Sequence, residues 1–80
     1  MTSDEILNKL TAIMRDTFND AALNPTRATT SDDVAEWDST NHVLMIVAVE
    51  AEFGIMFEPE EITAPENVGE LVDLVQSKLS

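Results

Sequence analysis

Trp37-Asp38-Ser39-Thr40-Asn41-His42-Val43-Leu44-Met45-Ile46-Val47-Ala48-Val49-Glu50-Ala51-Glu52-Phe53-Gly54 is the segment whose reading decides the fold. Asp38 is a good N-cap, because its carboxylate can accept a bond from a backbone N–H that the first helical turn leaves free. Gly54 supplies the left-handed residue that ends a helix. A helix is therefore expected from Asp38 or Ser39 to near Phe53. At about 100° per residue, His42, Met45, Ile46, Val49 and Phe53 cluster on one side and form the expected core face. Thr40, Val43, Leu44, Val47 and Ala51 fall on a second arc, next to Ser39. Most of that arc is apolar, where a surface helix is normally polar. Either this helix is central and buried nearly all round, or the arc is an exposed apolar patch for docking a partner. Val43 and Val47 are expected to straddle the boundary between the two arcs.

On the N-terminal side, Ile6, Leu7, Leu10, Ile13, Met14 and Phe18 follow the i, i+3, i+4, i+7 spacing of one buried helical face. Thr2 and Glu5 match a capping box, so a first helix is expected from Ser3 to Thr17 or Phe18. Asn19 to Asp38 is rich in Asn, Thr, Ser and Asp, with a proline at position 25. Leu23 and Val34 are its expected core anchors. An ordered connection of about twenty residues is unusual in so small a domain, and such loops are often functional. On the C-terminal side, Glu58-Pro59-Glu60-Glu61 marks a short third helix, with proline at the first helical position and acids complementing the dipole. Ala64-Pro65 breaks it. Asn67 with Glu70 then caps a fourth helix to about Leu79, with Val68, Leu71, Val72, Val75 and Leu79 as its apolar stripe. No alternating strand pattern, repeat or low-complexity tract appears. The expected fold is all-α: a four-helix bundle of three longer helices and one short third helix, with a long loop between the first and second.

Eighty residues, 1–80, make one domain with a small core. The chain is 44% hydrophobic and contains no cysteine, which excludes disulfide staples and thiolate metal sites. Met1 to Glu5 lacks the basic and apolar stretches of a signal peptide. The longest apolar run, Val43 to Val49, is too short to span a bilayer. A cytoplasmic location and a monomeric state are the expectations. The net charge is −12, from 4 Lys and Arg against 16 Asp and Glu, with no Lys or Arg between Arg27 and Lys78. Such a surface repels nucleic acid and anionic membranes. It attracts proteins with basic patches and speeds their encounter.

The chemistry of the chain centres on Asp38-Ser39-Thr40-Asn41-His42. The plainest reading is an ordinary helix start, with Asp38 as cap and Ser39 a tolerated first-turn residue. A Ser-His-Asp hydrolase has the right residue types but the wrong geometry. Asp38 and Ser39 are adjacent on one helix end, His42 leans towards the core, and no glycine loop stands near Ser39 to build an oxyanion hole. Neither Asp32-Asp33 nor Glu58 to Glu61 has the alternating acids and central glycine of a calcium loop. No catalytic or metal site is expected. One exposed hydroxyl at a helix start instead suggests a covalent attachment point, with the dipole favouring an anionic group there.

Trp37-Asp38-Ser39-Thr40, the helix that follows, Glu50-Ala51-Glu52-Phe53-Gly54-Ile55 and the strong acidity together resemble the acyl carrier protein family. The resemblance runs from about Ile6 to Leu79. Its most specific part is Asp38-Ser39 followed fourteen residues later by Phe53-Gly54-Ile55. It implies that Ser39 carries a 4′-phosphopantetheine arm transferred from coenzyme A by a phosphopantetheinyl transferase, with Asp38 as its motif neighbour. The arm would hold acyl groups as thioesters for acyl-transferring and condensing enzymes with basic docking patches, in fatty acid, polyketide or related biosynthesis. It also implies that Thr40, Val43, Leu44, Val47 and Ala51 lie on the face read by those partners. Two positions depart from the family pattern. Thr40 stands where Leu or Met usually follows the serine, and Leu44 where many fatty-acid carriers have an acid. Peptidyl carriers usually have glycines before the serine, and Ala35-Glu36-Trp37 here favours the acyl branch. A carrier needs no catalytic groups of its own, since the chemistry belongs to the arm. A bundle lined by Met45, Ile46, Val49, Phe53 and Ile62 could part to shelter an acyl chain. The alternative is an unmodified acidic helical adaptor that binds basic protein partners.

For the remaining marked residues, His42 is expected at the core edge with both ring nitrogens bonded, and Trp37 packing the long loop against the bundle and placing Asp38. Met14 and Met45 are expected as core filler and Met56 as a loop-side contact.

Overall fold

Thr2 and Glu5 close the reciprocal capping box that the sequence announces. The Glu5 N–H donates to Thr2 Oγ1 at 3.2 Å and the Thr2 N–H donates to Glu5 Oε1 at 2.9 Å. These bonds satisfy two donors that the first helical turn would leave open. The bond from the Thr2 backbone, then that from its hydroxyl, holds the Glu5 carboxyl below the usual carboxylate range. The computed structural model describes residues 1–79. Its helices are Ser3–Thr17 (α1), Ser39–Phe53 (α2), Pro59–Thr63 (α3) and Val68–Leu79 (α4), with one turn of 3₁₀-helix over Ser31–Asp33 in the α1–α2 loop. Among the described residues there is no strand. The all-helical bundle with three longer helices, a short third one and a long first loop is the architecture the periodicity predicts.

The core is built from one face of each long helix. Ile6, Leu10, Met14 and Phe18 come from α1 and its end, Met45, Ile46 and Val49 from α2, and Val68, Leu71, Val72 and Val75 from α4. Ile55 and Phe57 close the end of the core between α2 and α3, and Val34 plugs it from the loop. Leu7, Ile13, Leu23, Phe53, Ile62 and Leu74 pack part-buried around its edge. Two residues stand further in solvent than expected, Leu79 of the α4 stripe and Met56 of the loop. Leu79 is the last residue of α4 and is 39% exposed. Met56 is 77% exposed, so it makes no loop-side contact; Ile55 and Phe57 on either side of it turn inward instead.

The long loop is ordered by bonds to the helices around it. Asn19 takes the left-handed conformation, φ 53°, that asparagine tolerates better than most residues. The Arg15 guanidinium then holds the returning chain through the Leu23 carbonyl and Asn24 Oδ1, both at 2.7 Å. Further on, the Val68 N–H donates to the Thr29 carbonyl at 2.9 Å and the Gly69 N–H to the Arg27 carbonyl at 2.8 Å. The Glu70 N–H donates to Asn67 Oδ1 at 2.8 Å. The open donors at the start of α4 are thus satisfied partly by the loop, which anchors the segment leading to α2.

Candidate functional site

Asp38 has extended backbone and caps α2 as expected. Its Oδ1 accepts the Asn41 N–H at 2.8 Å, while its carbonyl accepts the His42 N–H at 2.8 Å as the first bond of the helix. Asn41 also reaches back, donating from Nδ2 to the Glu36 carbonyl at 2.8 Å. The chain on both sides of Ser39 is therefore held at two points. Ser39 itself is the first residue of α2 and is exposed, as are Asp38 and Thr40. Its N–H and that of Thr40 belong to the first turn, which has no earlier helical carbonyl to bond.

The entry to α2 is aimed by Trp37 and His42. Trp37 packs its ring 5.8 Å from Phe18 at the end of α1, and its Nε1–H donates to His42 Nδ1 at 3.0 Å. His42 Nε2 lies 2.6 Å from the Ile62 carbonyl oxygen at the far end of α3. Both residues occupy the places the sequence suggests, His42 at the core edge with both nitrogens engaged. Those bonds also dispose of a hydrolytic triad. Asp38 is occupied with Asn41, and neither ring nitrogen of His42 is turned to Ser39. Among the described residues no three His, Cys, Asp or Glu side chains converge as a metal site.

Beside Ser39 a cleft of about 530 Å³ opens between the start of α2 and the α3–α4 connection. Trp37, His42 and Val43 form one wall and Ile62, Thr63 and Pro65 the other, with Asp38 and Glu66 as its charged groups. Of this second wall, sequence reasoning singles out Ile62 as a lining residue but not Thr63 or Pro65. Pro65 reads there only as a helix breaker, and its place beside Ser39 depends on how the short helix folds back.

The arc of α2 next to Ser39 faces solvent. Val43, Leu44 and Val47 are 52, 54 and 56% exposed, and Thr40 and Ala51 are exposed with them. The alternative of a helix buried all round is thereby excluded. Val43 and Val47 do not straddle a boundary: both stand more than half in solvent, while α2 buries Met45, Ile46 and Val49 in the core. No helix among the described residues is long and apolar enough to cross a membrane.

The chain is 32% identical over 80 residues to an acyl carrier protein of Petrotoga mobilis, an alignment that spans all of this chain and 94% of that one. Its fold matches the solution structure of a holo acyl carrier protein from Geobacter metallireducens with a TM-score of 0.86 and 40% sequence identity, covering 92% of this chain and 85% of that one. No protein-family model matches the chain.

Proposed function

The chain belongs to the acyl carrier protein family, and on that premise we propose that Ser39 is the attachment point of a 4′-phosphopantetheine arm taken from coenzyme A. The observation that carries this reading is the exposed Ser39 side chain at the first turn of α2, beside an open cleft. The residues present suit the group. A phosphodiester on Ser39 would sit at the positive end of the α2 dipole, near N–H groups the helix cannot use. Asp38, the anion next to it in sequence, already spends its carboxylate on the Asn41 N–H. When bound, the arm supplies a terminal thiol that holds acyl groups as thioesters. The chain's own part is to present that arm, to keep its base fixed through Asp38, Asn41 and Trp37, and to be recognised.

Recognition follows from charge and shape together. A net charge of −12 draws in enzymes with basic patches from a distance. The Thr40, Val43, Leu44, Val47 and Ala51 face then offers a small apolar contact close to Ser39. Such a pairing gives fast arrival and easy release, which suits a protein that visits a phosphopantetheinyl transferase and then acyl-transferring and condensing enzymes in turn. Thr40 and Leu44 bias that face towards partners that read an uncharged α2. An acyl chain would find shelter next to Ile62, which packs part-buried against the core that Met45, Ile46 and Val49 help to build.

Intact-mass measurement tests the proposal. Incubation with coenzyme A and a broad-specificity phosphopantetheinyl transferase is expected to add one phosphopantetheine, and Ser39→Ala to abolish the addition. An unmodified adaptor would keep its mass under the same conditions.

A further inference from the structure

The bonding partners of His42 assign its protons. An indole N–H can only donate and a carbonyl oxygen can only accept. His42 Nδ1, receiving the Trp37 Nε1–H at 3.0 Å, must therefore carry the lone pair, and Nε2, 2.6 Å from the Ile62 oxygen, must carry the hydrogen. This is a neutral imidazole joining three segments, the loop at Trp37, α2 at His42 and α3 at Ile62. All three residues line the cleft next to Ser39. The two rings lie within 16° of parallel with centroids 6.2 Å apart, so with their nitrogens 3.0 Å apart they meet edge to edge.

We propose that His42 is a proton-operated positioning residue for this cleft: a proton taken from solvent at Nδ1 breaks the bond to Trp37 and frees the indole, while the tie to Ile62 persists. Two N–H groups then face each other where a donor faced an acceptor. The Nε2–H to carbonyl bond becomes charge-assisted and strengthens. Release is one-sided: the loop lets go and α3 holds. Attraction between a cation and an indole acts over the ring face, and the edge-to-edge arrangement does not present that face to His42. Trp37 must move to relieve the contact. It immediately precedes Asp38 and Ser39, so the cleft wall and the approach to the serine change with it.

The surroundings permit the proton. The ionisable groups sharing the cleft are Asp38 and Glu66, both carboxylates. On the same helix no charged residue stands between Ser39 and Val49. From α1 the contact is Phe18, which packs on Trp37. On α3, Glu61 is turned away to Lys78 at 2.8 Å. Among the described residues no cation lines the cleft to oppose a charged imidazole. This chain has a single histidine and a single tryptophan to follow.

The consequence for Ser39 rests on the function proposed above, but the switch does not, and its test uses the unmodified full chain. The indole N–H resonance of Trp37 and amide-exchange protection factors are followed between about pH 8 and about pH 5. In the wild type, the indole signal should move to that of a free N–H as the imidazole signals titrate. Protection over residues 34–38 should fall severalfold, and that of Ile62 and Thr63 should hold. His42→Gln offers an uncharged acceptor and donor at both pH values, so its indole signal should stay in place. Trp37→Phe removes the donor, and its loop protection should lose its pH dependence. An indole signal that stays put while the wild-type imidazole titrates overturns the proposal. So does an equal loss of protection in the loop and α3. Should either variant fail to fold, the wild-type titration decides alone. A chain whose serine is never modified would still show the indole response, so the two proposals fail separately.

Discussion

The Arg27 carbonyl receives the Gly69 N–H at 2.8 Å and leaves no room for a side chain at position 69. An added Cβ would lie 2.9 Å from that oxygen and 3.0 Å from Arg27 Cβ. Alanine gains about 1 kcal/mol over glycine in a helix interior, whereas overpacking against backbone costs about 1–3 kcal/mol. The loop is also pinned by the neighbouring Val68 to Thr29 bond, so it cannot simply retreat. Gly69→Ala is therefore expected to lower the urea midpoint, by about 1 kcal/mol net. Gly54→Ala is the comparison: no atom lies within 4 Å there, and its cost comes only from φ 66°. A raised midpoint for Gly69→Ala would mean that the loop yields and does not anchor the approach to α2.

The Asp38 side chain acts on the fold through the bond from the Asn41 N–H to its Oδ1. Loss of an N-cap costs about 1 kcal/mol. Asp38→Ala should lose that amount in urea unfolding, and Asp38→Asn, whose side-chain oxygen still accepts, should lose little. If both variants fell equally, the carboxylate charge and not the cap would be the stabilising feature.

The helices and their caps were legible because each rests on residues close in sequence. The Thr2–Glu5 box, Asp38, Gly54, Pro59 and the Asn67–Glu70 pair all act within one turn, and all appear where the spacing puts them. Ser39 could be placed at the start of α2 for the same reason. What the sequence hid is long-range. Gly69 reads as an ordinary helical glycine until the Arg27 carbonyl arrives from 42 positions away. The cleft needs α3 to swing back on His42, and no local pattern encodes that. Val43 and Val47 fall at a boundary by periodicity alone, which gives the angle between faces and not which neighbour covers each one. The α4 stripe points Leu79 at the core because periodicity gives a direction around the helix and not the depth of burial at its last turn.

Glu61 provides a pH signature. Its carboxyl is held below the usual carboxylate range, first by Lys78 Nζ at 2.8 Å and then by the Glu58 N–H. A depressed folded value means the ionised form favours the native state. The contribution is complete above the ordinary glutamate value of about 4.3 and disappears as pH falls through the depressed one. Lys78→Gln should accordingly melt below the wild type at neutral pH, and the gap should close in acid. Lys9→Gln removes the same charge from a looser pair, Lys9 and Glu52 at 3.4 Å with both side chains 46% exposed, and should show a smaller gap. A Lys78→Gln deficit that survives in acid would point to the contact of Lys78 with the Phe57 ring, 5.7 Å away.

The exposed α2 face separates contact from steering. Leu44 is more than half in solvent, and substitutions at such positions usually change stability by less than about 0.5 kcal/mol. Leu44→Ser should leave the urea midpoint unchanged. If the face is buried against a partner, partial burial of a leucine contributes about 1 kcal/mol, roughly a fivefold change in affinity. Phosphopantetheine transfer to Leu44→Ser should then need several times more carrier for half-maximal rate, with an unaltered dependence on salt. Charge acts differently, because long-range attraction sets the arrival rate and is screened by ions. Glu36→Gln should flatten the salt dependence and leave the high-salt rate where it was. The two variants thus move different parameters of one assay. If Leu44→Ser changed the salt slope, or changed nothing while Glu36→Gln slowed transfer, docking would be governed by charge and the apolar face would take no part in it.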